Sequence, residues 1–478
     1  MTLFVAVLAL CLDGTRDGDL YLQLASGRYI AAHGLASVDP FRTVAHGEPW
    51  LNQQWLCELL VYQLSRLVGV TGLTVAYAAL LAAPLALLLW LCRRKGIWML
   101  IALAVLYCPG LWVIVHPRAA GFSLLAFSLL VAILALAWLR VGPLRAPPPL
   151  RWTIPAALVL FALWANLHGG FLAGLLLIGV VLAGLAVERH RGGEGAVEGR
   201  RLALLAATGG LAGATVLVAT PLGGALVSYL ASFGNSAISL VSSEWRPAFQ
   251  SPLATLYIAV AAAFVLWLCW RGRGARALTP ALVALVFLAL AALSLRNIVF
   301  VGPVIALAVV SLAPDRPLRI PLPAIGLALV ASLAAATTWA AAVGPARNEP
   351  ILDAPLIEYA LRHPPARGHI AAYAGIGSYM LWRSPRARVE LDGWLEHFSA
   401  AELRDTYAVL DGRLANPLPD VRRLRIGAAI VDRQRAIAIL RAHGFALELR
   451  TPAGAYLVRR SALPGDPANG PPRPFSGA

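Results

Sequence analysis

The chain has 478 residues, of which 59% are hydrophobic and only 13% charged, with a mean hydropathy of +0.71. A soluble domain of this length does not need so much apolar surface, and repeated apolar runs near twenty residues point to membrane-spanning helices. The net charge of +16 comes almost wholly from Arg, with Lys95 the single lysine. These cations sit in short loops between apolar runs, so membrane topology accounts for them and nucleic-acid binding does not.

Residues 1–12 are apolar but short for a span, and they lack the basic leader and small-residue cleavage site of a signal peptide. A short first span is expected there. Asp13–Leu67 follows as the one long polar break in the first three hundred residues. It holds Asp13, Asp17, Asp19, Asp39, Glu48 and Glu58, a quarter of the chain's 24 acidic residues. Apolar runs then predict spans at 69–91, 96–116, 119–139, 152–167, 170–187, 202–219, 253–270, 278–293, 298–313 and 320–342, about eleven with the first. The cysteines Cys11, Cys57, Cys92, Cys108 and Cys269 show neither zinc-like nor disulfide-like spacing.

One set of short loops carries fifteen basic residues: Arg93, Arg94, Lys95, Arg140, Arg145, Arg151, Arg189, Arg191, Arg200, Arg201, Arg271, Arg273, Arg276, Arg316 and Arg319. The opposite set carries three, namely Arg118, Arg246 and Arg296. This bias places the first set in the cytoplasm and puts the acidic loop and the C-terminal region outside. After Val343 the composition becomes mixed. HIAAYA, ARVELDG, AAIVD and AYLVRR predict strands; SAAELRDTYAVLDG and DRQRAIAILRAHG predict helices, the second stopped by Gly444. The expected organisation is a transmembrane domain at 1–343 with its first outer loop at 13–67, an extracytoplasmic α/β domain at 344–463, and a disordered Pro/Gly-rich tail at 464–478.

Several constellations can carry chemistry. Asp17 and Asp19 form a D-x-D pair able to hold a divalent cation, Mg or Mn, or to supply a general base; equally, Asp19 can cap the helix expected from Leu20. Asp39 before Pro40 is expected in a turn. Trp50 and Trp55 fit an interfacial helix with rings at headgroup level, and Glu58 on it is expected to face water. His116, Arg118, Arg246 and Arg296 lie at the outer ends of spans, where cations either hold a phosphate or snorkel to headgroups. Arg296 is the strongest candidate because its loop is so short, and Glu244 beside Trp245 is grouped with it. Asn166 and His168, before Gly169-Gly170, interrupt an apolar stretch; they either line a cavity, the favoured reading, or merely close a hairpin.

The run RDGDLYLQLASGRYIAAHGLASVDPF resembles the first outer loop of bacterial GT-C-type membrane glycosyltransferase-like proteins, relatives of the protein mannosyltransferases. The matching features are Asp17 and Asp19, Gly27 to Ile30, and Asp39-Pro40-Phe41. HPR at 116–118, WANLHGGF at 164–171, SEWRPAF at 243–249, LRN at 295–297 and YAGIGSYMLWRSPRARVELDGW are similar too, so the resemblance covers most of the chain in fragments. Gln23 stands where many of those proteins have His. The resemblance implies a mainly α, polytopic GT-C-type bundle in the bacterial inner membrane. It implies a sugar donor on a polyprenyl-phosphate carrier, an acceptor hydroxyl on a glycan, lipid or protein, and a base in the first outer loop. Asp17 is the expected base, with Asp19 assisting or sharing a metal. Arg296, helped by His116 and Arg118, is expected to face the lipid phosphate, with His168 lining the same cavity. A transporter or flippase would show broken helices in both halves, and a non-catalytic envelope-assembly protein would use the D-x-D pair only as a cap.

Overall fold

The computed structural model describes residues 18–41, 50–191, 198–232, 242–272, 277–316 and 354–460. Expectations that fall on 1–12, on Asp17, on 320–342 and on 464–478 lie outside those residues. The chain divides into two compact units. One gathers 1–14, 52–228 and 242–344; the other gathers 15–51, 229–241 and 345–478.

In chain order the elements are α1 (Gly18–His33), α2 (Trp55–Leu91), α3 (Ile97–Tyr107), α4 (Ala120–Ile133), α5 (Leu150–Leu167), α6 (Phe171–His190), α7 (Gly199–Ala219), α8 (Ala225–Ser232), α9 (Pro252–Arg271), α10 (Leu278–Leu293), α11 (Val301–Leu312), α12 (Ala354–Arg362), β1 (His369–Ala371), α13 (Ala374–Arg383), α14 (Ala400–Leu410), α15 (Leu418–Arg423), β2 (Ile426–Val431), α16 (Gln434–Ala442), β3 (Phe445–Thr451) and β4 (Gly454–Arg459). Short 3₁₀ turns at Cys108–Ile114, Ser243–Trp245 and Leu295–Phe300 connect members of the first unit.

The first unit is a helical membrane bundle. Among the described residues seven helices are long and apolar enough to cross a membrane, and Ile97–Leu111 and Leu278–Leu293 are shorter apolar ones. These nine coincide with the nine spans expected between residues 69 and 313. Leu, Val and Ala dominate them because every backbone polar group in lipid must bond within its own helix. Side chains such as Val218, Leu253 and Leu285, at 86%, 79% and 67% exposure, face outward as a lipid-facing surface requires. The span expected from residue 69 is the second half of α2, which is kinked at Gly69 and starts at Trp55.

Two expectations about the start of α2, those for Glu58 and Trp50, need correction. Glu58 does not face water: it is fully buried, and its Oε2 accepts from Asn52 Nδ2 at 2.5 Å. It lies in the first turn of α2, where the positive end of the helix dipole favours a carboxylate. Trp55 is anchored by its indole N–H on Asn166 Oδ1 at 2.7 Å. Trp50 is 3% exposed in the core of the second unit, edge-on to Phe41 and Trp394 at 5.5 and 6.2 Å between ring centres.

The second unit is a small α/β domain with a four-stranded sheet in the order β1-β2-β4-β3. β1 and β2 are parallel; β2–β4 and β3–β4 are antiparallel. HIAAYA, AAIVD and AYLVRR contain β1, β2 and β4 as expected. ARVELDG does not form a strand: it makes one isolated bridge, Val389 to Ile370. It then turns away, because Asp392 Oδ1 accepts from the Trp394 amide and the Gly393 amide donates to Ser378 Oγ. β3 was not expected; its alternation of buried and exposed residues becomes visible only beside β4. The two expected helices are α14, capped by a Ser399–Glu402 box, and α16, which ends before Gly444.

α1 belongs to this unit and packs along α13. Their backbones approach so closely that a Cβ on Gly18 would fall 2.2 Å from Gly375 Cα. Arg28 donates to the carbonyls of Leu381 and Trp382 at the end of α13 and lies 4.8 Å from the Trp382 ring centre, satisfying acceptors that the helix leaves open.

Candidate functional site

The candidate residues fall into two groups, one in each unit. In the bundle, Arg118 stands just before α4 and Arg296 in the 3₁₀ turn before α11. Both are held by one short loop. Glu244 binds the Arg118 guanidinium in a fork, Nη1 to Oε2 at 2.9 Å and Nη2 to Oε1 at 3.0 Å, while Nη1 also donates to the Val113 carbonyl at 2.9 Å. The next residue, Trp245, lies under Arg296, with the guanidinium carbon 4.1 Å from the ring centre. The loop is tied to the Arg296 segment by Ser294 Oγ on the Glu244 carbonyl at 3.2 Å and by the Leu295 amide on the Arg246 carbonyl at 3.0 Å. Arg118, Glu244 and Arg296 are thus one assembly. His116 is partly buried in the turn that carries Arg118.

His168 joins this group through charge. It ends α5 in extended backbone, where the chain turns into α6. Its Nδ1 lies 2.7 Å from Ser123 Oγ and 3.2 Å from the Gly170 amide, and Ser123 Oγ in turn receives the Trp164 indole N–H at 2.7 Å. Burial, then the Arg296 charge, then the Arg118 charge push the His168 imidazole down to about 3. It is therefore neutral at pH 7.

Asn166 is 6% exposed and ties three helix ends together. Its Oδ1 accepts from Trp55, and its Nδ2 donates to Ala162 at 2.8 Å and to Ala219 at 3.0 Å. Gln53 adds a bond to the Ala165 carbonyl at 2.5 Å.

In the second unit, Asp19 is the second residue of α1, which starts at Gly18, two residues before the Leu20 start that a cap at Asp19 would need. A Cβ built on Gly393 would lie 3.7 Å from Asp19 Oδ1, so the carboxylate sits against the Asp392-Gly393-Trp394 turn. Glu390 and Asp392 are buried in that segment, at 4% and 2% exposure. Asp39 makes the expected turn, its Oδ1 accepting from the Phe41 amide at 2.8 Å. Asp17 lies outside the described residues. Among those residues, no group of three or more His, Cys, Asp or Glu side chains is placed to hold a metal ion.

Sequence reasoning missed Ser123, Trp164 and Trp245 in the bundle and Asp392 in the α/β unit. The Trp residues carried a signal, since both fall inside the fragments WANLHGGF and SEWRPAF. Ser123 carried none, because it is one small residue in an apolar run.

The depressed His168 value has a pH consequence. In the unfolded chain this His takes up a proton near its ordinary value of 6.5, whereas the folded protein resists until about 3. Unfolding then binds protons in that window, so stability falls as the pH falls through it. From pH 7 to pH 5, wild type should lose up to about 2 kcal/mol more stability than His168→Gln. Thermal unfolding in detergent at the two pH values measures this, and parallel losses would show that His168 is not held neutral.

No family model matches the sequence, and no curated protein matches it. Solved structures do. ArnT from Cupriavidus metallidurans bound to undecaprenyl phosphate is 16% identical, with 95% of this chain and 97% of that chain covered and a TM-score of 0.55. The oligosaccharyltransferase AglB from Archaeoglobus fulgidus, in complex with an inhibitory peptide and a dolichol-phosphate, is 10% identical, with 90% and 69% covered and a TM-score of 0.56. At such identities the likeness is one of fold. The chain has the GT-C-type architecture that its motifs resemble, a polytopic membrane bundle with a small α/β domain.

Proposed function

We propose that the protein is a membrane glycosyltransferase that moves a sugar from a polyprenyl-phosphate carrier to an acceptor hydroxyl at the outer face of the bacterial inner membrane. The observation that carries this reading is the grouping of Arg118, Arg296 and a neutral His168 at connections between spans, an arrangement suited to an anionic headgroup. The fold agrees with it, since the similar ArnT structure holds undecaprenyl phosphate and the similar AglB structure a dolichol-phosphate.

Asp17, assisted by Asp19, takes the proton of the acceptor hydroxyl, and the oxygen attacks the anomeric carbon. The bond from that carbon to the carrier phosphate breaks, and its electron pair leaves with the lipid phosphate. Arg296 meets that growing charge; a guanidinium can fork onto two phosphate oxygens. Arg118 is neutralised by Glu244 and acts mainly by holding the loop. Asp17 and Asp19 are also the side chains that would hold a divalent cation, which would add charge stabilisation at the phosphate. The base role of Asp17 rests on the sequence motif alone.

The proposed topology puts the 13–67 loop and the 344–463 domain outside, on the basis of the fifteen-to-three distribution of basic residues. Reporter fusions after Leu67 and after Val343 should both be active only outside the cytoplasm, and opposite signs would break the span assignment.

Purified protein incubated with a panel of polyprenyl-phosphate sugars should release free carrier. Asp17→Asn should cut that release by about two to four orders of magnitude while leaving folding intact. Wild-type turnover in both Asp17→Asn and Asp19→Asn would overturn the catalytic reading of the loop. Folded wild-type protein that releases carrier from no donor would favour an envelope-assembly role.

A further inference from the structure

The hydrogen bonds at His168 favour one arrangement of its protons. An indole N–H and a backbone amide can only donate. Trp164 Nε1 therefore donates to Ser123 Oγ, and the Gly170 amide donates to His168 Nδ1. A nitrogen that accepts carries no proton, so the Ser123 hydroxyl must donate to Nδ1 as well. The imidazole proton is left on Nε2. Neighbouring packing keeps this arrangement dry and rigid. Trp164 is fully buried and Ser123 is 1% exposed. A Cβ on Gly170 would fall 2.3 Å from Ser123 Oγ, so no other residue fits at that amide.

A serine bonded to a histidine also suggests a nucleophile and its base. The geometry argues against that reading. The hydroxyl lies under the Trp164 indole at 1% exposure, so no substrate reaches it.

We infer that Ser123, itself oriented by Trp164, acts with the Gly170 amide as a positioning pair that holds His168 as the Nε2–H tautomer, and so makes the ring a neutral hydrogen-bond donor to an oxygen of the carrier phosphate. The inference rests on the proposed phosphate reading of the Arg118, Arg296 and His168 group, and specifies how its third member works. The opposite tautomer would present a lone pair at Nε2, which repels a phosphate oxygen where the locked form attracts it. Arg296 already brings positive charge to this place, so a donor that adds no further charge avoids the cost of a second cation beside it.

The test uses the full chain labelled with ¹⁵N-histidine in lipid nanodiscs at pH 7. The His168 ring signals are those lost in His168→Gln. Wild type should show Nε2 protonated and Nδ1 unprotonated. Ser123→Ala leaves Nδ1 only the longer Gly170 bond, at 3.2 Å, and should raise the share of the Nδ1–H tautomer. Trp164→Phe keeps an aromatic ring in the core but frees the Ser123 hydroxyl to turn, and should raise that share too. Both variants should bind undecaprenyl phosphate more weakly than wild type, in proportion to the share of the Nε2–H tautomer they lose, about twofold for an even mixture. A protonated Nδ1 in wild type would overturn the inference. Unchanged affinity in folded Ser123→Ala and Trp164→Phe would also overturn it while leaving the phosphate reading in place. Failure of wild type itself to bind undecaprenyl phosphate would instead remove that reading, and the inference with it.

Discussion

Two neighbouring residues, Glu244 and Trp245, organise the cationic end of the bundle. Two guanidinium groups near one another, partly out of water, repel and are costly to desolvate. The loop resolves this in two ways. Glu244 cancels the Arg118 charge through a forked ion pair whose side chains are only 12% and 29% exposed. Trp245 offers Arg296 an aromatic face, with the guanidinium carbon 4.1 Å from the ring centre, which steadies the group in place. Glu244 thus fixes the loop through Arg118, and Trp245 fixes Arg296 against the same loop. One turn between spans thus gives two arginines different work.

The bundle was legible in the sequence because lipid imposes a simple rule. A run of Leu, Val and Ala near twenty residues must be a helix, since nothing else satisfies its backbone there. That rule placed the helices from α2 to α11 other than α8, Ala225–Ser232, which no expected span covered. Local chemistry was equally readable. Asp39 before Pro40 made its turn, and SAAELRDTYAVLDG made its helix. What stayed hidden depends on contacts between distant residues. Glu58 was expected in water because a lone acid on an amphipathic helix faces solvent. Asn52 and the helix dipole instead make burial tolerable. ARVELDG alternates like a strand, yet Ser378 and Asp392 capture its amides and end its pairing. Ser123 lies 45 residues before His168, and no local pattern announces their bond.

The sequence fragments that carried the family resemblance gain a physical reason in the fold. RDGDLYLQLASGRYI supplies α1 and YAGIGSYMLWR supplies α13, and these two helices pack face to face through Gly18 and Gly375. WANLHGGF supplies the Trp164 and His168 of one hydrogen-bond chain, completed by Ser123. SEWRPAF and LRN supply the two sides of the Trp245–Arg296 contact. Fragments far apart in sequence therefore meet in pairs. The described acidic candidate, Asp19, belongs to the unit built on α1 and α13, and the cationic candidates belong to the bundle.

The central claim is that Arg296 recognises a lipid phosphate by its shape as well as its charge. The direct measurement is the affinity for undecaprenyl phosphate of wild type and of Arg296→Lys in nanodiscs. Lysine keeps the charge but loses both the planar fork and the stacking on Trp245. The account predicts binding at least about tenfold weaker in the lysine variant, a loss of about 1.4 kcal/mol. Equal affinity in the two proteins would show that Arg296 merely sits at the membrane surface, and would contradict the account.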